Sequence, residues 1–196
     1  MKSEKLKYSK GDLFKREDQT AYFNACVGKN GGPYSYGDYC RGYFFAAKTL
    51  AEKVISERRN LDISIYPMFY SYRHAIELGL KQVWATNSYI VSGERNVIGG
   101  HNLNEIWKKL KPKLLALEEI ENETIDLMDN IIGDVCELDN SAEEFRFPES
   151  LNQELYLQDK SIINIVALYE TMEVAENVIE YWFYSFNQII NENLNG

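Results

Sequence analysis

Six apolar side chains, Ile65, Phe69, Tyr72, Ile76, Leu80 and Val83, recur at steps of four, three, four, four and three. No other feature constrains the fold as strongly, because this spacing keeps one face of a helix continuously apolar over about five turns. Such a face has to be buried against other elements. Beside it stand Arg73, Glu77 and Lys81, four residues apart, so that each charge faces an opposite charge one turn away. His74 joins them. An apolar helix keeps charge where the charge is paired or put to chemical use. The stretch from Tyr66 to Lys81 is therefore both the expected core helix and the first candidate site.

The rest of the chain reads as further helices. Residues 1–36 form an N-terminal extension, with a short helix expected over Glu17–Val27 and a turn over Lys29–Pro33, where Gly31, Gly32 and Pro33 follow Asn30. A first long helix is predicted over 37–59, capped by Asp38, with Phe44, Ala47, Leu50 and Val54 on its apolar side. The Tyr66–Lys81 helix should begin at Asp62 or Ser64, tolerate Pro67 in its first turn and fray at Asn87–Ser88. A glycine-rich loop spans Ser92–Gly100. Asn102, with Glu105 three residues on, signals the start of a third helix carrying Leu103, Ile106, Trp107, Leu110 and Leu114, which Pro112 should kink or interrupt. A fourth follows over Glu121–Leu138, then a structured loop over Asp139–Pro148. A last, long helix runs from a cap at Asp159 or Ser161 to near Leu194. Residues 37–196 thus predict an all-α antiparallel bundle of about five helices.

With 196 residues and 45% hydrophobic content, the chain can bury one good core. No apolar run approaches the roughly 18 residues a membrane span needs, and the polar start MKSEKLKYSK is unlike a signal peptide, which predicts a cytoplasmic protein that does not engage membranes. Cys26, Cys40 and Cys136 read as free thiols. There is no phosphate-loop or dinucleotide fingerprint, and the two histidines do not form a metal-ligand pattern, so no cofactor and no metal are expected. Charge is divided unevenly. Residues 1–113 carry 19 Lys and Arg against 11 Asp and Glu, whereas residues 114–196 carry 2 against 19. The two halves are set to attract each other within one fold or between subunits, and the basic half could also meet a phosphate backbone. Tyr181, Trp182, Phe183 and Tyr184 cover a whole helical turn, so part of this run has to face solvent, a partner or an identical chain.

Three blocks in order carry a family resemblance: Tyr66 and Pro67 with the run from Tyr72 to Lys81; Gly100 to Leu103 with Ile106 and Trp107; and Asp139, Ser141 and Phe145 to Pro148. Over roughly residues 40–180 the chain resembles uncharacterised bacterial helical proteins related to the HEPN superfamily. That resemblance implies a bundle of four or five helices, usually a homodimer. It also implies a class of roles in defence or toxin–antitoxin systems: metal-independent RNA cleavage in active members, and non-catalytic partnership with nucleotidyltransferases in others. Active members carry an Arg followed a few residues later by a His. Arg95, with the polar Asn96 beside it, and His101 match this pattern with five residues between them, in the loop before the third helix instead of on a late helix.

Metal-independent RNA cleavage needs a base near the 2′-hydroxyl and positive charge near the phosphorane, roles that His and Arg suit. Two residue sets are candidates: Arg95 with His101, and Arg73 with His74. Glu77, Lys81 and Arg146 stand as ligand-binding residues beside the second set. The bland reading of that set is a buried polar network that ties its helix to the Phe145–Pro148 loop, with His101 and Arg146 as partners. RNA or a nucleotide is the first expected ligand. The alternatives are a non-catalytic adaptor or inhibitor that binds a protein through its acidic, aromatic C-terminal helix, and mimicry of nucleic-acid charge by the acidic half.

Overall fold

The computed structural model describes residues 9–11, 19–28, 34–160 and 162–195. Among them are five α-helices: α1 (Tyr36–Glu57), α2 (Leu61–Ser92), α3 (Leu103–Leu114), α4 (Asn122–Asp139) and α5 (Ile165–Asn195). The fold is an all-α helical bundle. Among the described residues there is no strand, only an isolated bridge between Glu149 and Leu155. No helix among them is long and apolar enough to cross a membrane.

The chain divides into two units, Met1–Tyr34 and Ser35–Gly196. Of the helix expected over Glu17–Val27, residues 17 and 18 lie outside the described residues, and the remainder holds only one 3-10 turn, Ala21–Phe23. Tyr22 and Phe23 are 103% and 87% exposed, so this segment has no buried face, and a helix that short is marginal in water without one. The turn expected over Lys29–Pro33 lies outside the described residues.

In the second unit the helix ends follow from local chemistry. Ser35, not Asp38, is the cap of α1. The Ser35 hydroxyl accepts from the Asp38 N–H at 3.2 Å while the Asp38 carboxylate accepts from the Ser35 N–H at 2.9 Å, a reciprocal box. Arg58 and Asn60 both take left-handed conformations, φ 52° and 61°, and reverse the chain into α2 within three residues. Because α2 starts at Leu61, Pro67 falls in its second turn instead of its first. The helix also continues through Asn87, which is buried, and Ser88. It stops where Gly93 can adopt φ 74° and give its N–H to the Tyr89 carbonyl. Asn102 caps α3 as expected, accepting from the Glu105 N–H at 2.9 Å, and Pro112 lies within that helix without ending it. At α5, Asn164 takes the capping role assigned to Asp159 or Ser161: its side-chain oxygen accepts from the N–H groups of Val166 and Ala167 at 2.9 and 3.1 Å. Ser161 is outside the described residues.

Cross-helix pairs set the directions. Gly37 bonds Gln82 while Tyr43 packs on His74, so α1 and α2 run antiparallel. Arg41 bonds Glu180 at 2.7 Å and Lys48 bonds Glu173 at 2.6 Å, which makes α5 antiparallel to α1. Leu103 reaches Asn140 while Trp107 reaches Asp129, so α3 and α4 are likewise antiparallel. The predicted α2 stripe is buried along Phe69, Tyr72, Ile76, Leu80 and Val83, with Ile65 partly so, against α1, α3 and α5. At Gly79 the helices approach so closely that a Cβ would lie 2.9 Å from the Cδ1 of Ile179 and 3.2 Å from the Cys40 sulfur. Trp182 is fully buried and stacks on Trp107 with ring centres 6.1 Å apart. Two residues on, about half a turn round the helix, Tyr184 is 63% exposed, as a four-residue aromatic run requires. The opposite charges of the two halves are partly spent inside the unit, in Arg41–Glu180, Lys48–Glu173 and Lys111–Asp129.

Candidate functional site at the junction of α2 and α3

Arg73 has no exposed surface, yet it is saturated with partners. Its Nε donates to the Asp139 carbonyl at 3.3 Å, its Nη2 to the carbonyls of Asn140, at 2.8 Å, and of His101, and its Nη1 to Glu77. Four of its five N–H donors are thereby used within the protein. Two of the accepting carbonyls belong to the C-terminal end of α4, the end at which a helix dipole favours a cation. Asn140 in turn holds the start of α3: its carbonyl accepts from the Leu103 N–H at 3.2 Å and its side chain from the Asn104 N–H at 3.2 Å. Arg73 therefore ties the middle of α2 to the end of α4 and the beginning of α3.

Glu77, also fully buried, is the centre of the cluster. One carboxylate oxygen takes Arg73; the other takes Lys81 Nζ at 2.7 Å and lies 3.0 Å from His101 Nδ1. Burial pushes its carboxyl up, but the hydrogen bonds and charges of Lys81 and Arg73 outweigh burial and hold it below the usual carboxylate range. An ionised Glu77 can only accept, so His101 carries its proton on Nδ1 in the neutral ring, leaving Nε2 as a free acceptor. The His101 side chain is 72% exposed, and Nε2 has no partner among the described residues. Lys81 also donates to the Gly100 carbonyl at 2.7 Å, anchoring the loop that carries His101.

His74 lies three residues before Glu77 and so shares its face of α2. It is half-buried between the edge contact with Tyr43, ring centres 4.5 Å apart, and the stacked ring of Tyr70, at 5.7 Å. Burial pushes its imidazole below the ordinary value; Glu77 opposes this, while Arg73, Lys81 and His101 reinforce it. The two histidines, 27 residues apart in sequence, thus flank one buried carboxylate and lie within electrostatic reach of each other.

The remaining candidates lie elsewhere. Arg95 sits over the Tyr36 ring at 5.7 Å, on α1, and makes no bond to His101. Arg146, expected in the network, is exposed and lies over the Phe147 ring at 4.6 Å with no bond to Glu77 or His101. The loop it belongs to does join α2, but through backbone and aromatic contacts: Phe145 stacks on Phe69 at 4.0 Å.

A second acidic centre was not legible beforehand. Asp139, at the end of α4 and fully buried, accepts from the N–H groups of Ala142 and Glu143 at 2.6 and 3.1 Å through one oxygen. Its other oxygen accepts no hydrogen bond among the described residues. Burial, with the Glu144 carboxylate beside it, pushes its acid up to about 7 against the opposing pull of Arg73. Asp139 stands in the third block of the family resemblance, but an Asp at a helix end followed by a polar turn reads locally as an ordinary loop.

Compared with protein-family models, curated proteins and solved structures, the chain finds no match in any of the three.

Proposed function

We propose that this chain is a HEPN-like helical module of a bacterial defence or toxin–antitoxin system that binds RNA in the cytoplasm and cleaves it without a metal, acting as a homodimer. The observation that carries the reading is the exposed His101 ring held by a buried carboxylate, with His74 on the same face. In this reading His101 Nε2 takes the proton of a 2′-hydroxyl, and Glu77 stabilises the resulting imidazolium through Nδ1. The 2′-oxygen attacks phosphorus, and the 5′-oxygen leaves with the proton returned by His101. Arg73, Glu77 and Lys81 sum to one net positive charge below the ring, a field that favours phosphate. Tyr43, Tyr70 and His74 offer ring surface against which a base can stack. Arg73 is assigned a positioning role, since its donors are consumed.

The test is a gel assay of RNA degradation by purified protein with a chelator present. Wild type cleaves; His101→Ala abolishes cleavage while melting at the same temperature; Glu77→Gln is scored for folding first. Absence of cleavage by wild type across RNA substrates and pH would sink the ribonuclease reading. In that event the exposed Tyr184 and the five glutamates of α5, a helix with no Lys, Arg or His, favour the adaptor reading, with a basic protein surface as the partner.

A further inference from the structure

We infer that the cavity between the first turns of α2 and the chain around Phe147 and Tyr156 is a nucleotide-binding subsite, selecting a base of the strand presented to His101. It measures about 710 Å³, ample for a drug-sized ligand. Two rings on its wall are half exposed, Tyr66 at 47% and Phe147 at 49%, and the chain itself places a guanidinium, that of Arg146, over one of them. Its polar lining is mixed. Lys160 is already held by Glu137 at 2.5 Å, which leaves Arg146 as the cation available to a phosphate, while Asp62 and Glu144 can accept from amino groups.

This combination discriminates between ligand classes. A purely apolar guest would strip water from Asp62, Glu144 and Arg146 without replacing their bonds. A simple anion would leave the aromatic walls unmatched. A nucleotide meets both demands: a flat base for the rings, edge donors for the carboxylates and a phosphate for Arg146. The cavity is also connected to the histidines by position. Tyr66, Tyr70 and His74 stand four residues apart on α2, so the rings form one stripe, and Tyr66 and His74 are separated by about 12 Å along the axis. This link to the strand rests on the ribonuclease reading; the cavity's affinity for a nucleotide does not.

The experiment is titration calorimetry of the whole chain with AMP, UMP, inorganic phosphate and a 2′-O-methyl oligonucleotide that cannot be cleaved. A nucleotide binds, phosphate alone does not, and Phe147→Ala, which removes a stacking ring, and Arg146→Ala, which removes the cation for the phosphate, each weaken the nucleotide by about tenfold or more. Both residues are exposed, so unchanged melting is expected; Tyr66→Leu repeats the test from the other wall. Arg41→Ala, on α1 and outside the cavity lining, binds as wild type. Failure of wild type to bind any nucleotide, or equal binding by the three cavity variants, overturns the proposal, even if RNA is cleaved. Nucleotide binding without cleavage supports the subsite and counts against the ribonuclease reading. Binding of the mononucleotide but not of the oligonucleotide supports the cavity as a site for free nucleotide and overturns its link to the strand.

Discussion

Two sets of ion pairs hold this bundle together, and they differ in nearly everything except charge. The Arg41–Glu180 and Lys48–Glu173 bridges join α1 to α5 across the surface, with side chains 35–53% exposed on one side and 39% on the other. The Arg73–Glu77–Lys81 ladder lies within α2, with side chains 0–8% exposed. A surface pair exchanges water for a partner at little net gain and is screened by salt. A buried one has surrendered its water altogether, so it has to be complete. Here completeness is reached by recruiting backbone carbonyls from two other places in the chain, Gly100–His101 and Asp139–Asn140, and the ladder thereby locates the start of α3 and the end of α4. Burial turns an ion pair from a contact into a coordinate system.

Removing one member of each set should separate them most. Arg73→Met takes the guanidinium donor from one Glu77 oxygen and from the carbonyls of Asp139 and His101, and urea unfolding should show a loss of about 3–5 kcal/mol. A loss comparable to that of a surface variant would mean that water or a rearranged Lys81 replaces the guanidinium, and the contrast would collapse. Next comes a change in packing near the ladder with no charge involved. Gly79→Ala drives a methyl into Ile179 and Cys40, and overpacking of this kind costs about 1–3 kcal/mol, partly offset by the better helix former. A neutral result would show that α5 can slide away from α2 freely.

Asp139 sharpens the comparison through pH. Its acid titrates near 4 unfolded and about 7 folded, so the native state holds the proton more tightly. Its contribution to stability is present below pH 4 and is lost as pH rises through 7. His74 has the opposite sign: its lowered folded value costs stability as pH falls and the ring is forced to charge. The variant Asp139→Asn, which keeps the acceptor used by Ala142 and Glu143, isolates the first effect. Its melting temperature should exceed that of wild type at pH 8, by about 1 kcal/mol in stability, and the gap should close at pH 5. A constant gap would assign the effect to packing instead of protonation. The smallest effect is expected for Arg41→Ala, less than about 1 kcal/mol and shrinking further in high salt.

What could be read beforehand divides along the same line. Contacts within three or four residues were legible: the α2 stripe, the Arg73–Glu77–Lys81 spacing and the Asn102 cap all follow from helical period or local side-chain chemistry. Three helix starts differ from expectation, α2 among them with Asn60 before it instead of Asp62 or Ser64, because several polar residues compete at each. Ser35 and Asp38 share one box, and Asn164 sits closer to the apolar run than Asp159. The extent of α2 was underestimated because Asn87 and Ser88 look like an ending until Asn87 is buried by tertiary contacts. Of the partners remote in sequence, His101 is where the network reading expects it and Arg146 is not; the others carry no local signal. Nothing local says that Arg73 meets carbonyls 66 and 67 residues away, that Arg146 turns outward to Phe147, or that His74 and His101 flank one carboxylate.

The shortage of cations in the second half of the chain has a practical consequence. From residue 114 onward the only Lys or Arg residues are Arg146 and Lys160. Both line the cavity beneath Tyr66. Trypsin can therefore cut this half of the molecule at those two places alone, and the rate at which it does so is a label-free gauge of whether the cavity is filled.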